Sequence, residues 1–209
     1  MVAAQVGWCR MPDVNVFSLD TLLSVGVGLG LAAAAGFRVF VPLLVLSLAA
    51  RAGYVPLSSG FEWIASTPAL LAFGTATVLE VGAYYVPWLD NLLDTLAVPA
   101  AVVAGVVASA SVMTDLPPVL KWSVALLGGG TAAGVVQSST ALLRLKSTAT
   151  TAGLANPLLA TTELVGSVAT SVLAILVPLL ALLLIALALF VIYRVSRRLL
   201  RRTGPAPVA

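Results

Sequence analysis

Long stretches of this chain carry no charged residue at all, and the few charges fall at their ends. Thr21 to Phe37 is followed, after Arg38, by Val39 to Ala50. Trp63 to Leu79 ends at Glu80, Thr95 to Thr114 at Asp115, and Trp122 to Leu143 at Arg144. Leu164 to Tyr193 is the longest run. A helix needs about 20 apolar residues to cross the hydrocarbon core of a bilayer. The pattern therefore predicts an all-α, polytopic integral membrane bundle. Composition agrees: 60% of residues are hydrophobic and 9% charged, against about 25% charged in an average soluble domain. The mean hydropathy is +1.10.

The turns follow from glycine and proline. Leu19 to Ala52 as one helix would extend about 50 Å at 1.5 Å per residue, beyond a bilayer core. Gly26, Gly28, Gly30, Gly36 and Pro42 interrupt it, and both residue types weaken helices. A break near Gly36-Phe37-Arg38 gives two half-helices; the alternative is a single kinked helix with Arg38 facing inward. Further spans are expected at 68–86, 98–113 and 119–143, with Asp90 to Leu96 a short polar helix or turn. Lys146 to Pro157 reads as a loop. Pro178 divides the last run into spans at 158–176 and 179–195, making six spans, or five if Leu164 to Tyr193 is one helix. Gly128-Gly129-Gly130 and Gly134 mark close helix packing or an unwound stretch.

Residues 1–18 read as a polar lead, 19–196 as one transmembrane domain and 197–209 as a basic tail. Met11 is an alternative initiator. A cleaved signal peptide with its site at Ala32 to Ala35 competes with the first span, but Asp13 and Asp20 stand where basic residues belong. Arg194, Arg197, Arg198, Arg201 and Arg202 are five of the eleven basic residues. Basic residues beside a span stay cytoplasmic, which puts the C-terminus inside the cytoplasmic membrane. Six spans bring Arg10, Arg144 and Lys146 to the same side. A topology anchor accounts for the tail, and no nucleic-acid partner is expected. With one cysteine and no histidine, an internal disulfide, a thiolate or imidazole metal cluster within the chain and histidine acid–base catalysis are excluded. No cofactor is expected.

Charge inside a bilayer is costly and tends to face the bundle interior with a partner. The candidates for a substrate or ion path are Arg38, Glu80, Gln137, Asn156 and Glu163, with Arg38 paired to Glu80 or Glu163. Arg144 and Lys146, among the hydroxyls of Ser138, Ser139, Thr140, Ser147 and Thr148, suit an anion or lipid headgroup. Asp90 and Asp94 share a helical face and, with Asn91, offer oxygen ligands for Mg²⁺ or Ca²⁺; the plain alternative is a solvated turn. An internal repeat is also visible. Ala35-Gly36 to Ala52-Gly53 and Pro56 matches Ala133-Gly134 to Ala152-Gly153 and Pro157. Each copy is followed by a glutamate, Glu62 or Glu163, and by Val86-Pro87 or Val177-Pro178. Inverted repeats of this kind occur in secondary transporters.

The segments Gly36 to Pro42, Leu79-Glu80-Val81, Asp90 to Asp94, the glycine-rich fourth span and Asn156-Pro157 with Glu163 stand in a familiar order. In these the chain resembles a bacterial membrane family catalogued as domain of unknown function 4126, over roughly residues 19–190. In that pattern a basic residue often follows the glutamate; here Ala83-Tyr84-Tyr85 stands in its place. The resemblance implies a multi-pass membrane protein and no particular activity. Three functions stay open. A transporter or channel for a small solute or ion expects a polar path at Arg38 and a glutamate. A structural or assembly protein expects closed packing and paired charges. A Mg-dependent enzyme acting on a lipid or polyprenyl diphosphate expects converging carboxylates. Self-association through the glycine-rich faces is expected as well.

Overall fold

In a computed structural model, the chain is described at residues 18–83, 87–151 and 154–178, and at positions 180, 183, 187, 190 and 194; for 87–95 the backbone alone is described. Residues 1–17 of the polar lead, Met11 among them, and the arginines beyond Arg194 lie outside these residues. The described residues are helical or irregular, with no strand among them.

Helix α1, Leu19–Ala35, starts where the Ser18 hydroxyl accepts the Thr21 amide at 3.1 Å, and Asp20 in its first turn suits the positive end of the helix. The chain breaks at Gly36–Val39 and resumes as α2, Phe40–Arg51. The break falls where glycine, arginine and proline predict it, and it reverses the chain. Asp20, Leu23 and Ser24 of α1 line one cavity of about 340 Å³ together with Tyr54 and Val55, which follow α2. The beginning of α1 and the end of α2 are therefore neighbours, and the two helices form a hairpin rather than one kinked rod.

A 3₁₀ turn at Glu62–Ala65 leads into α3, Thr67–Ala83. Helix α4, Pro87–Val112, is continuous through Pro99. The polar stretch Asp90 to Leu96 is its first part and not a separate turn, since no glycine or proline interrupts it. Pro118–Val124 forms α5, a π-helical turn occupies Ala125–Gly130, and Thr131–Thr151 forms α6. These three make one unbroken run of 34 residues. The loop expected from Lys146 is helical as far as Thr151. The hydroxyls of Thr150 and Thr151 donate to the carbonyls of Lys146 and Ser147 at 2.9 and 2.7 Å, so these polar side chains are satisfied within the helix. Helix α7, Asn156–Leu176, has Pro157 in its first turn. It stops at Val177 (φ −137°, ψ 69°), and helix resumes at Pro178.

Helix α1 is the hub and packs on α2, α4, α6 and α7. Its backbone comes close to α4 at Gly28, where a Cβ would lie 3.1 Å from the Ser109 backbone, and α4 comes closer still to the π turn and α6. A Cβ on Gly129 would lie 2.2 Å from Ser109 Oγ, and one on Gly105 would lie 2.6 Å from the Ala133 Cβ. Ser109 Oγ donates to the Gly28 carbonyl at 2.9 Å. Gly128, Gly130 and Gly134 likewise face Leu29, Val106 and Val102 of the same chain, so the glycine-rich face is used inside the protomer.

The interior mixes many small and polar residues with a few large apolar ones such as Leu31, Leu46, Ile64 and Met113, while many large apolar side chains lie on the surface. Ala32, Ala35, Ala101, Ala108, Ser47, Ser109, Ser111, Ser167 and Ser171 are fully buried, whereas Leu71, Leu79, Leu127, Val165 and Leu176 are each more than 60% exposed. Pro118–Thr151 and Asn156–Leu176 are long and apolar enough to cross a membrane; Leu19–Ala35, Phe40–Arg51, Thr67–Ala83 and Leu96–Val112 are apolar and shorter.

The repeat does not extend to structure. Gly36 ends a helix while Gly134 lies within one. Glu62 is exposed in the 3₁₀ turn and accepts the Gly60 amide, while Glu163 is buried in α7.

Two glycines separate packing from helix propensity. Gly129→Ala forces Ser109 and the Gly105 carbonyl to move and is expected to destabilise by about 1–3 kcal/mol. Gly82→Ala in α3, where an added Cβ meets nothing within 4 Å, is expected to be neutral or to stabilise by up to about 1 kcal/mol. Thermal denaturation of the two purified variants checks both.

Candidate functional site: a buried charge cluster at the helix break

Ending a helix in an apolar interior exposes amides and carbonyls that need partners. At Gly36–Val39 other elements supply them. The Ala34 carbonyl at the end of α1 accepts from the Phe37 and Arg38 amides and from Ser167 Oγ of α7 at 3.0 Å. The first amides of α2, those of Val39 and Phe40, donate to the two carboxylate oxygens of Glu80 at 2.8 and 3.1 Å. Glu80 thus caps α2 from α3. Gly36 is there because the turn is pressed on α6: a Cβ would stand 2.5 Å from the Val136 Cβ and 2.6 Å from the Ala133 carbonyl oxygen.

Arg38 sits inside this turn and is 1% exposed. Its guanidinium donates to the Ala160 carbonyl at 2.8 Å and lies 3.6 Å from a Glu163 oxygen. Glu163, in turn, is held by Arg144, whose Nε donates to Oε1 at 3.0 Å and whose second nitrogen bonds the other oxygen. One carboxylate therefore lies between two guanidinium groups, and a second lies on the amides beside Arg38. Of the two partners expected for Arg38, Glu163 is its ion pair, and Glu80 is engaged by backbone.

Arg144 is the residue whose place differs most from its expectation. Sequence groups it with Lys146 on an outward, anion-contacting face. In the fold Arg144 is 3% exposed while Lys146 is exposed. The reason is helical period: Ala133, Gln137, Thr140 and Arg144 recur every three or four residues on the buried face of α6, and Lys146 falls on the other side. Gln137 is buried on that face, between Ala133 against Gly36 and Arg144 against Glu163. Asn156, at the start of α7, is half-buried and donates to Thr148 Oγ1 at 3.2 Å. The side chains of Asp90, Asn91 and Asp94 lie outside the described residues. Among the described residues no group of three or more acidic, cysteine or histidine side chains gathers to hold a metal.

Two buried polar groups carry no signal in sequence beyond their residue type. Ser167 is one serine among several on α7. Lys121 is 8% exposed, donates to Ser58 Oγ at 2.8 Å and lies 5.8 Å from the Phe61 ring centroid. It stands away from the cluster, near the end of the bundle that holds Thr114 and Asp115. The hairpin sets these ends. Asp20, Tyr54, Thr114, Asp115 and Pro178 line one cavity, whereas Lys146 and Asn156 lie at the opposite end, where α6 runs into α7. The start of α1 is thus not on the side of Lys146, as an even number of simple spans would have it, because the first segment turns back.

Removing one charge from the Arg38–Glu163–Arg144 group strands the others. Glu163→Gln is expected to destabilise by about 3–5 kcal/mol, the typical cost of breaking a buried pair. Glu62→Gln, on an exposed side chain, is expected to change stability by less than about 0.5 kcal/mol. Equal losses by chemical denaturation would contradict the assignment of Glu163 as a buried hub.

No curated protein and no solved structure matches this chain. One family model does, described as a domain of unknown function (DUF4126), and it matches residues 25–198. That match takes in the hairpin break, the Glu80 cap and both arginine–glutamate contacts, and it covers most of the chain. The chain therefore belongs to the DUF4126 family.

Proposed function

We propose that this protein is a multi-pass bundle of the cytoplasmic membrane that carries a small solute or ion past the charge cluster at the helix break. The observation that carries this reading is the convergence, at one interrupted helix, of Arg38, Glu80, Arg144 and Glu163 from four separate segments. Each such charge costs about 2.5–3.5 kcal/mol at the centre of a spanning helix on insertion scales. A register-fixing ion pair needs one charge of each sign; this site assembles two.

The membrane reading is supported by the reversal of interior and surface. Many leucine and valine side chains lie outside, and serine and charged side chains are buried inside, which suits lipid as the surrounding solvent. The hairpin fits the same solvent. Its 17-residue and 12-residue helices are about 25 and 18 Å long at 1.5 Å per residue, short of a hydrocarbon core of about 30 Å. The tip contacts Glu163 and Ser167, seven and eleven residues after Asn156 in α7, or about 10–17 Å along that helix. Irregular backbone at such depth is tolerated where protein buries it, and interrupted helices carrying polar groups near the midplane are how secondary transporters form their sites. Basic residues next to spanning helices favour the cytoplasm, which assigns the end bearing Lys146, and the arginine-rich tail, to that side.

A second reading, a structural or assembly protein without a substrate, draws on the two-point hold of Arg144 on Glu163, as a fastener would show. The enzyme reading depends on Asp90, Asn91 and Asp94, and nothing in the site geometry favours it.

Reconstitution into liposomes with a broad flux screen separates these readings. Wild-type protein is expected to pass at least one small solute that empty vesicles retain, and Arg38→Ala and Glu163→Gln are expected to lower that flux at least tenfold in correctly folded protein. Equal leak from all three proteins and empty vesicles, over every solute tried, would leave the structural reading.

A further inference from the structure

Helix α5, the π turn and α6 form one continuous helix that meets Ser58 through Lys121 at its start and Glu163 through Arg144 near its end. An uninterrupted α-helix would carry Arg144 about 140° round from the face of Lys121. The π turn at Ala125–Gly130 holds one residue more than the α turn it replaces, which reduces that offset to about 40°. Helix α6 thus carries a surplus residue at its head. Moving the surplus down the helix turns each residue it passes by about 100° and sets it in the place of the next one.

The sequence of α6 fits both registers. Gly128-Gly129-Gly130, Ala132-Ala133, Val135-Val136, Ser138-Ser139-Thr140 and Leu142-Leu143 repeat one residue type or one shape at adjacent positions. The closest contacts fall on these repeats. Gly129 is pressed on the Gly105 carbonyl and on Ser109, and in the shifted register Gly128 succeeds it there. In the present register a Cβ on Gly128 meets only the side-chain tips of Leu29 and Val124. Ala132 likewise follows Ala133 against Gly105, and Val135 follows Val136 against Gly36. Ser139 follows Thr140 on the buried face. At each of these contacts like replaces like. Two buried polar residues instead change their surroundings. Gln137 moves to the place of Ser138, in a groove bordered by Thr131 and Ser139. Arg144 gives its place to Leu143 and takes that of the exposed Leu145. Glu163 keeps its ion pair with Arg38 at 3.6 Å, so the shift does not leave the carboxylate alone.

We propose that α6 is a two-register switch: the surplus residue of the π turn passes toward the Lys146 end, swings Arg144 off Glu163, and so opens the cytoplasmic side of the path. This rests on the transport reading above.

The test places nitroxide labels on the full-length protein at Ser138→Cys and Val165→Cys in a Cys9→Ser background. Positions 138 and 139 are both exposed, so the label fits either register. Pulsed electron paramagnetic resonance in vesicles is expected to show two distance populations. A label at Ser123→Cys, ahead of the turn, is expected to give one population with Val165→Cys. Gly128→Ala is the diagnostic variant, because its methyl group fits the present register but strikes the Gly105 carbonyl in the shifted one. It is expected to keep or raise the thermal midpoint, to show one population from Ser138→Cys, and to lower flux at least tenfold. A single population in the wild-type background, or undiminished flux in Gly128→Ala, overturns the switch. Should Gly128→Ala not fold, deletion of Gly128 removes the surplus and leaves Gly129 and Arg144 in place. That deletion is expected to give one population, and two populations there overturn the proposal. Wild-type vesicles that carry solute with one population reject the switch and leave the transport reading standing. Vesicles that pass nothing, with two populations retained, reject transport and not the switch.

Discussion

A helix that stops in an apolar interior leaves amides at one end and carbonyls at the other with no water to meet them. The turn between α1 and α2 is such a stop, and the rest of the bundle is arranged around satisfying it. Glu80 of α3 takes the Val39 and Phe40 amides at the start of α2, and Ser167 of α7 meets the Ala34 carbonyl at the end of α1. The break recruits one side chain from each of two flanking helices, and those side chains dictate how the helices stand. Arg38 follows from the same geometry. Lodged inside the turn, it has no route to water and reaches Ala160 and Glu163 instead.

The close packing of α1, α4 and the π turn complements this. Gly28, Gly105 and Gly129 allow backbones to approach until no methyl group fits, so dispersion and short hydrogen bonds such as Ser109 to the Gly28 carbonyl hold the helices where large side chains would normally interlock. Along this seam of glycine, alanine and serine, burial of large apolar side chains contributes little. Its stability depends instead on contact density and on satisfied polar groups.

Much of this was legible in the sequence. The helical class follows from the apolar runs, and the break at Gly36-Phe37-Arg38 follows from glycine beside an isolated arginine. Arg38, Glu80, Gln137 and Glu163 stand out as polar residues inside apolar stretches, and each is buried. Arg144 was harder to place, because it ends an apolar run where the positive-inside rule already explains a basic residue. Only the helical phase running back through Thr140 and Gln137 to Ala133 points it inward, and that phase reaches Arg144 only if the helix continues past Leu143, where the expected span ends. The apparent repeat misled for the opposite reason. Glycine, alanine and proline recur at similar spacings in a chain rich in all three, yet Gly36 and Gly134, and Glu62 and Glu163, occupy unlike surroundings.

What the sequence determined by itself was local and compositional: helices, their breakers, and a set of charges with no water-facing surface to occupy. Those properties depend on a few neighbouring residues and on the solvent the apolar faces require. Which charges meet, whether a broken helix continues or turns back, and hence which ends of the bundle coincide, were decided by tertiary structure. Glu80 and Val39 are 41 residues apart, and Ser167 and Ala34 are 133 apart. Pairings over such separations have no signature in a single chain's spacing, because they are selected by the packing of whole helices and not by any local preference.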